Sequence, residues 1–192
     1  MLIGLVGSYD VQYWHWHRLR LFEQPEARTE NLTHAIRALL FAAMTLMVLH
    51  LDARGAWWPI YPALLSLEVI NSLADVILEP ASRRRMGGLP AAEYIVHIVL
   101  SILTGGALAS IIWDSFPLFY EPSHLGLRTL PVPLVFRLAA YVSVVAAFGM
   151  FSFELRGFFR LGRPKSYGPE RAIVSEQSVA DDSAVGIVRI NQ

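Results

Sequence analysis

Cysteine is absent from the 192 residues of this chain. Without thiols the chain cannot form a disulfide, a thiolate-bound zinc or iron–sulfur site, or a cysteine nucleophile. Net charge is also absent, because 16 basic residues balance 16 acidic ones. The zero net charge hides an uneven distribution along the chain, and we expect no nucleic-acid partner. Any metal site in this chain must therefore use oxygen and nitrogen ligands.

Apolar residues dominate what is present. They make up 54% of the chain, and the mean hydropathy is +0.42. Four apolar stretches, at 35–51, 57–78, 91–113 and 134–153, are each close to the ~20 residues that a helix needs to cross a bilayer. The sequence predicts an all-α integral membrane protein with a four-transmembrane-helix bundle at 30–160. Residues 1–29 would form an interfacial segment, and residues 161–192 a C-terminal tail.

The basic residues predict the orientation of the bundle. With four spans, 13 of the 16 Lys and Arg residues fall on the side of the two termini, and Arg54, Arg128 and Arg137 fall on the other. The positive-inside rule places the basic side in the cytoplasm. We therefore expect both termini to be cytoplasmic, in a plasma or inner membrane. The two halves share no motif, which argues against an inverted-repeat transporter.

Ionisable residues recur four positions apart on three of the predicted helices, so each pair shares a helix face. Antiparallel helices with short connections bring all three pairs to one end of a bundle. Charged groups cost at least ~2.5 kcal/mol each at the centre of a span, so such a cluster needs partners or a bound cation. The predicted metal ligands are Glu30 and His34, Asp75 and Glu79, and Glu93 and His97.

The composition of this set indicates which metals suit it. Four carboxylates and two histidines are similar to the di-iron and di-manganese carboxylate sites of helix bundles. The Glu-to-His spacing is four here, whereas that class commonly has three. Iron is the expected metal, with zinc or manganese as alternatives. Further candidate ligands are Glu154, His15 and His17, although the two histidines also suit an interfacial aromatic anchor.

Polar residues continue along the second span. Glu68 and Asn71 share the helix face of Asp75 and Glu79, but Glu68 lies ~16 Å from Glu79 along the helix. Glu68 is either a neutral carboxyl in the core or part of a polar path from the interior of the bundle to the metal site. We expect Arg37 to reach the headgroups or neutralise a carboxylate, and the basic run at 83–85 to set topology and contact acidic lipid.

These features favour a metal-dependent enzyme of the oxygenase or hydroxylase type. It would act on a lipidic substrate at the cytoplasmic face, with an electron donor as a candidate partner; no catalytic residue is assigned. One alternative is a non-catalytic accessory or structural membrane subunit. Others are a haem protein using His34 and His97, and a proton or ion pathway through Glu68, Asp75 and Glu79. The pathway would require an oligomer.

Overall fold

The computed structural model describes residues 2–84, 87–128 and 131–162, and 83% of these residues are helical. The predicted C-terminal tail lies outside the described residues from position 163 onward. Four long helices are the main elements: α2 (Arg28–His50), α3 (Ile60–Ser82), α4 (Ala91–Ser115) and α5 (Leu134–Leu161). Each is long and apolar enough to cross a membrane, so the number of helices of this kind agrees with the prediction.

The helices extend beyond the apolar stretches at their polar ends. Helix α2 already begins at Arg28, and α5 continues to Leu161. Helix α3 passes through Pro80, beyond the apolar stretch that ends at residue 78, and stops at Ser82. The added turns carry buried polar side chains, including Glu30, that find partners across the bundle. These contacts stabilise helical turns at positions where hydropathy alone indicates a loop.

Helix α2 lies at the centre of the bundle and packs along α5 and α3. Small buried residues line its contact with α5, namely Ala42, Val144 and Ala147. Small side chains allow helices to approach closely, which is the usual basis of helix association in membranes. Helix α4 is more peripheral, because no residue in its most apolar stretch is buried within the bundle.

The N-terminal segment forms two joined helices. Helix α1 (Leu2–Tyr9) lies along α4. A Cβ atom added to Gly4 would lie 3.5 Å from the side chain of Phe41, and one added to Gly7 would lie 3.9 Å from the side chain of Leu100. Helix α1 is thus close to both α2 and α4. Helix α1 continues into a π-helix, Asp10–Arg18, which we call the N-terminal π-helix. A short turn, Pro25–Ala27, then leads into α2. The segment is thus packed against the bundle.

A small sheet departs from the all-α prediction. Strand β1 (Leu51–Arg54) pairs antiparallel with β2 (His124–Leu127) where the α2–α3 and α4–α5 connections meet. The guanidinium of Arg54 joins the two connections by contacting Asp52 and Glu121. Strands of four residues are too short to give a clear period-two signal, so the sequence predicts connections there.

Gly55 follows β1 and has a left-handed backbone conformation that leads the chain toward α3. Its replacement tests how much the sheet contributes to stability. Its φ is +55°, and an added Cβ would lie 2.6 Å from the backbone oxygen of Glu121. We expect Gly55→Ala to lower the free energy of unfolding by about 1–3 kcal/mol, measured by thermal unfolding in detergent. Gly105→Ala is the control, because that site is open and helical. Equal unfolding temperatures for both variants would contradict this role.

Candidate metal centre

Metal-ligating side chains meet at the end of the bundle where α3 ends and α4 begins. In three groups, one ligand atom from each residue lies within 4.8 Å of the others. His15 and His97 each belong to two of these groups, so the three groups form one continuous cluster. The groups are Asp10, His15 and His97; His15, Glu30 and His34; and Glu79, Glu93 and His97.

Arg83 lies at the base of this cluster with no exposed surface. Its Nη1 donates to both carboxylate oxygens of Glu30 at 2.9 Å, and its Nη2 donates to Glu93 at 2.5 Å. Its Nη2 is also 3.9 Å from Glu79. Burial would lower the pKa of Arg83, but the charge of Glu30 and the contact with Glu93 raise it above the ordinary value. The prediction that Arg83 contacts lipid is therefore wrong, because it neutralises buried carboxylates.

His15 and His97 connect the remaining members of the cluster. The Nδ1 of His97 is 3.0 Å from Glu79, and its Nε2 is 3.4 Å from Asp10. The Nε2 of His15 is 3.7 Å from Asp10 and 3.6 Å from Glu93. These contacts close a ring in which basic and acidic groups alternate. In order, it consists of Arg83, Glu79, His97, Asp10, His15 and Glu93.

A branch leads from Glu30 to the interior of the bundle. The Nε2 of His34 is 3.9 Å from Glu30 and 3.4 Å from Asp75. The hydroxyl of Thr33 donates to Asp75 at 2.5 Å, and the Nη1 of Arg37 donates to it at 3.0 Å. Asp75 belongs to none of the three metal-ligating groups of the described residues. Its contacts make it a residue that orients His34.

The other predicted polar residues lie around this branch. Glu68 is 3.4 Å from the Nε of Arg37 and accepts a hydrogen bond from Ser72. The amide of Asn71 donates to the backbone oxygen of Thr33 at 3.1 Å. Arg37 thus neutralises carboxylates, which is one of the two roles that we expected for it. The polar stripe of α3 faces α2 rather than solvent.

The three further candidate ligands have different positions. His15 is buried in the cluster, and its ring centroid is 4.4 Å from that of His34. Glu154 is buried on α5, with His34, His15 and Glu30 among its electrostatic neighbours. His17 is exposed, and its ring faces Tyr13. The structure therefore brings His15 and Glu154 to the cluster and leaves His17 at the surface.

Asp10 is the member of the cluster that sequence reasoning missed. It lies 20 residues before Glu30, in a segment that we expected to rest at the interface. The available signal was an acidic residue directly between an apolar run and an aromatic one. Burial opposes ionisation of Asp10, but its bond to His97 and the nearby His15 hold its pKa below the ordinary value. Asp10 thus presents a carboxylate to the cluster.

The charge of the cluster depends on its histidines. Its four carboxylates face the guanidinium of Arg83 and three histidines. Three negative charges remain when the histidines are neutral, and none remains when all three are protonated. Uncompensated buried charge is strongly unfavourable, so neutral histidines would favour a bound cation. The carboxylates are those of Asp10, Glu30, Glu79 and Glu93.

Comparison with known proteins gives no match: no protein-family model, curated protein or solved structure matches this chain.

Proposed function

We propose that this protein is a membrane-embedded, metal-dependent enzyme with a two-metal centre at its cytoplasmic face. Iron is the preferred metal, and zinc and manganese suit the same ligands. One observation carries the proposal: three groups of residues that could hold a metal are linked through His15 and His97 into a single, mostly buried cluster. Carboxylates and imidazoles are also the donor types of di-iron sites in helix bundles.

The residues divide between two metal positions. Glu30 and His34 on α2 would supply one position, and Glu79 on α3 with His97 on α4 would supply the other. Glu93 belongs to the same group as Glu79 and His97, and it is 3.6 Å from His15, which belongs to the group of Glu30 and His34. Asp75 lies 3.4 Å from Nε2 of His34. If that contact is kept, Nδ1 is the nitrogen of His34 that would bind a metal. An iron pair would supply the capacity to activate dioxygen for hydroxylation or desaturation.

An apolar cleft lies between α3 and α4, and none of the residues that line it belongs to the cluster. Its volume is about 810 Å³, within the range of small-molecule sites. Ser66 is its one hydroxyl-bearing lining residue, and that hydroxyl already donates to the backbone oxygen of Pro62 at 2.7 Å. The cleft therefore suits a hydrocarbon chain. Its nearest α3 residue, Ile70, is nine positions from Glu79, or ~14 Å along the helix.

The enzyme proposal is tested by lipid mass spectrometry. Iron-loaded protein in liposomes is supplied with dioxygen and a chemical reductant, which provides the two electrons that hydroxylation or desaturation consumes. We expect lipids that have gained one oxygen atom or lost two hydrogen atoms. Glu79→Gln should abolish these products, and the control His124→Gln, at the opposite end of the bundle, should retain them. Unmodified lipids with iron-loaded wild-type protein would contradict the enzyme proposal.

One observation favours a second candidate, a non-catalytic accessory subunit. Each member of the ring already lies beside groups of opposite sign, so protonated histidines give the cluster internal partners without a ligand. Under this candidate the cluster fastens the N-terminal segment to α3 and α4. The two candidates differ in metal content, which is zero for the accessory subunit.

The remaining alternatives receive less support from the contacts. His34 faces Glu30 and Asp75, whereas His97 faces Glu79 and Asp10, so the two histidines do not share the apolar surroundings of a haem. Glu68 is held by Arg37 and Ser72. We therefore propose neither a haem protein nor an ion pathway.

A further inference from the structure

We propose that the N-terminal π-helix completes the metal centre, with Asp10 and His15 as metal ligands that close the site over the two ions. This inference rests on the proposed function, because it assigns ligands to the same centre. It adds Asp10, which the sequence did not indicate, and gives the N-terminal segment a direct role in metal binding. The helices α2, α3 and α4 would then supply an open half of the site.

Two buried atoms point to a ligand. Asp10 and His15 are each 4% exposed. Within the described part of the chain, Oδ1 of Asp10 and Nε2 of His15 are two of eight buried side-chain atoms with no hydrogen-bond partner. The carboxylates nearest to Nε2 of His15 are 3.6 and 3.7 Å away, beyond hydrogen-bond distance. Leaving a buried polar atom unsatisfied costs about 1–3 kcal/mol, so native structures rarely retain one without a reason. Both residues also belong to metal-ligating groups of the cluster. A metal ion would satisfy both atoms.

The local backbone is what brings both side chains to the cluster. Asp10 and His15 are five residues apart, and in an α-helix they would point about 140° away from each other. A π-helix bonds residue i to residue i+5 and so places these two side chains on one face. Asp10, Trp14 and His15 are accordingly the buried residues of this segment. Such helices are rare and occur frequently at functional sites, which fits a segment shaped to deliver two ligands.

Contacts outside the cluster hold the π-helix in place. The ring of Trp16 packs on Phe153 of α5 with centroids 4.1 Å apart. Beyond the π-helix, Arg160 of α5 donates to the backbone oxygen of Phe22. The ring of His15 lies against that of His34 on α2. Because the π-helix is fixed from α2 and α5 at once, its ligands are positioned before metal binds.

The test compares three variants of the full-length protein, titrated anaerobically with Fe²⁺ and analysed for bound iron. Asp10→Asn and His15→Gln are close in size to the native residues. His17→Gln is the matched control, because His17 belongs to the same π-helix and is exposed. We expect two ions in wild type and in His17→Gln. In the other two variants we expect loss of one ion or a weakening of about tenfold or more.

The outcomes separate this inference from the proposed function. Wild-type protein that binds no iron overturns both. Wild-type protein that binds two ions, with unchanged stoichiometry and affinity in Asp10→Asn and His15→Gln, overturns the role of the π-helix alone.

A second measurement needs no variant and so remains decisive if the substitutions prevent folding. Bound iron with peroxide and ascorbate cleaves the backbone near the ion. Fragments ending within Asp10–Arg18 are expected. Cleavage confined to α2, α3 and α4 would overturn the inference.

Discussion

Replacement of Arg83 by methionine is expected to lower the free energy of unfolding by about 3–5 kcal/mol. The guanidinium is fully buried and contacts the carboxylates of Glu30, Glu93 and Glu79. Methionine retains much of the side-chain volume but removes the charge, which leaves these carboxylates without their shared cation. Chemical or thermal unfolding in detergent with a chelator present measures the effect.

The neighbouring arginine provides the control. Arg84 is exposed, so Arg84→Met should change stability by less than about 0.5 kcal/mol. Adding a divalent metal should restore part of the stability of Arg83→Met, because the ion replaces the missing positive charge. If Arg83→Met and Arg84→Met unfold alike, Arg83 does not neutralise the cluster.

Divalent metal should stabilise the wild-type protein strongly, and loss of two histidines should remove that effect. A ligand that binds only the folded state contributes about 2.7 kcal/mol at a hundred times its Kd. The double variant His34→Ala/His97→Ala removes one nitrogen ligand from each proposed metal position. We expect Fe²⁺, Zn²⁺ or Mn²⁺ to raise the Tm of wild type and to leave that of the double variant almost unchanged. Thermal unfolding with and without metal provides the comparison.

Histidines at the other end of the bundle control for nonspecific metal binding. His50 contacts the hydroxyl of Tyr141, and His124 is largely exposed near Asp52. The variant His50→Ala/His124→Ala should keep the full metal-dependent rise in Tm. A rise of equal size in both double variants would show that the stabilising metal binds elsewhere.

The long helices and the meeting of three polar pairs follow directly from the sequence. Apolar runs of nearly 20 residues predict the spans, because few other structures bury so much consecutive apolar surface. The spacing of Glu30 from His34, and of Glu93 from His97, puts each pair on one helix face. Antiparallel packing then brings the pairs to one end of the bundle, where the structure also places Glu79.

Other parts of the site depend on tertiary contacts that local patterns do not encode. Arg83 belongs to a basic run that resembles a topology signal, and only the packing of α2 and α4 around it shows that it is buried. Asp10 reaches the cluster because the backbone after Tyr9 adopts i→i+5 bonding, which no residue pattern indicates. Asp75 has the spacing of a ligand, but its carboxylate lies outside the three groups of the described residues that could hold a metal.

Elemental analysis of the detergent-purified wild-type protein, kept free of chelators, tests the central claim most directly. The two-metal centre predicts about two equivalents of one transition metal per chain, with iron expected first. Folded protein without bound transition metal, even after incubation with Fe²⁺, Zn²⁺ and Mn²⁺, would contradict the metal centre. The buried ring around Arg83 would then be a network of ion pairs in an accessory membrane subunit.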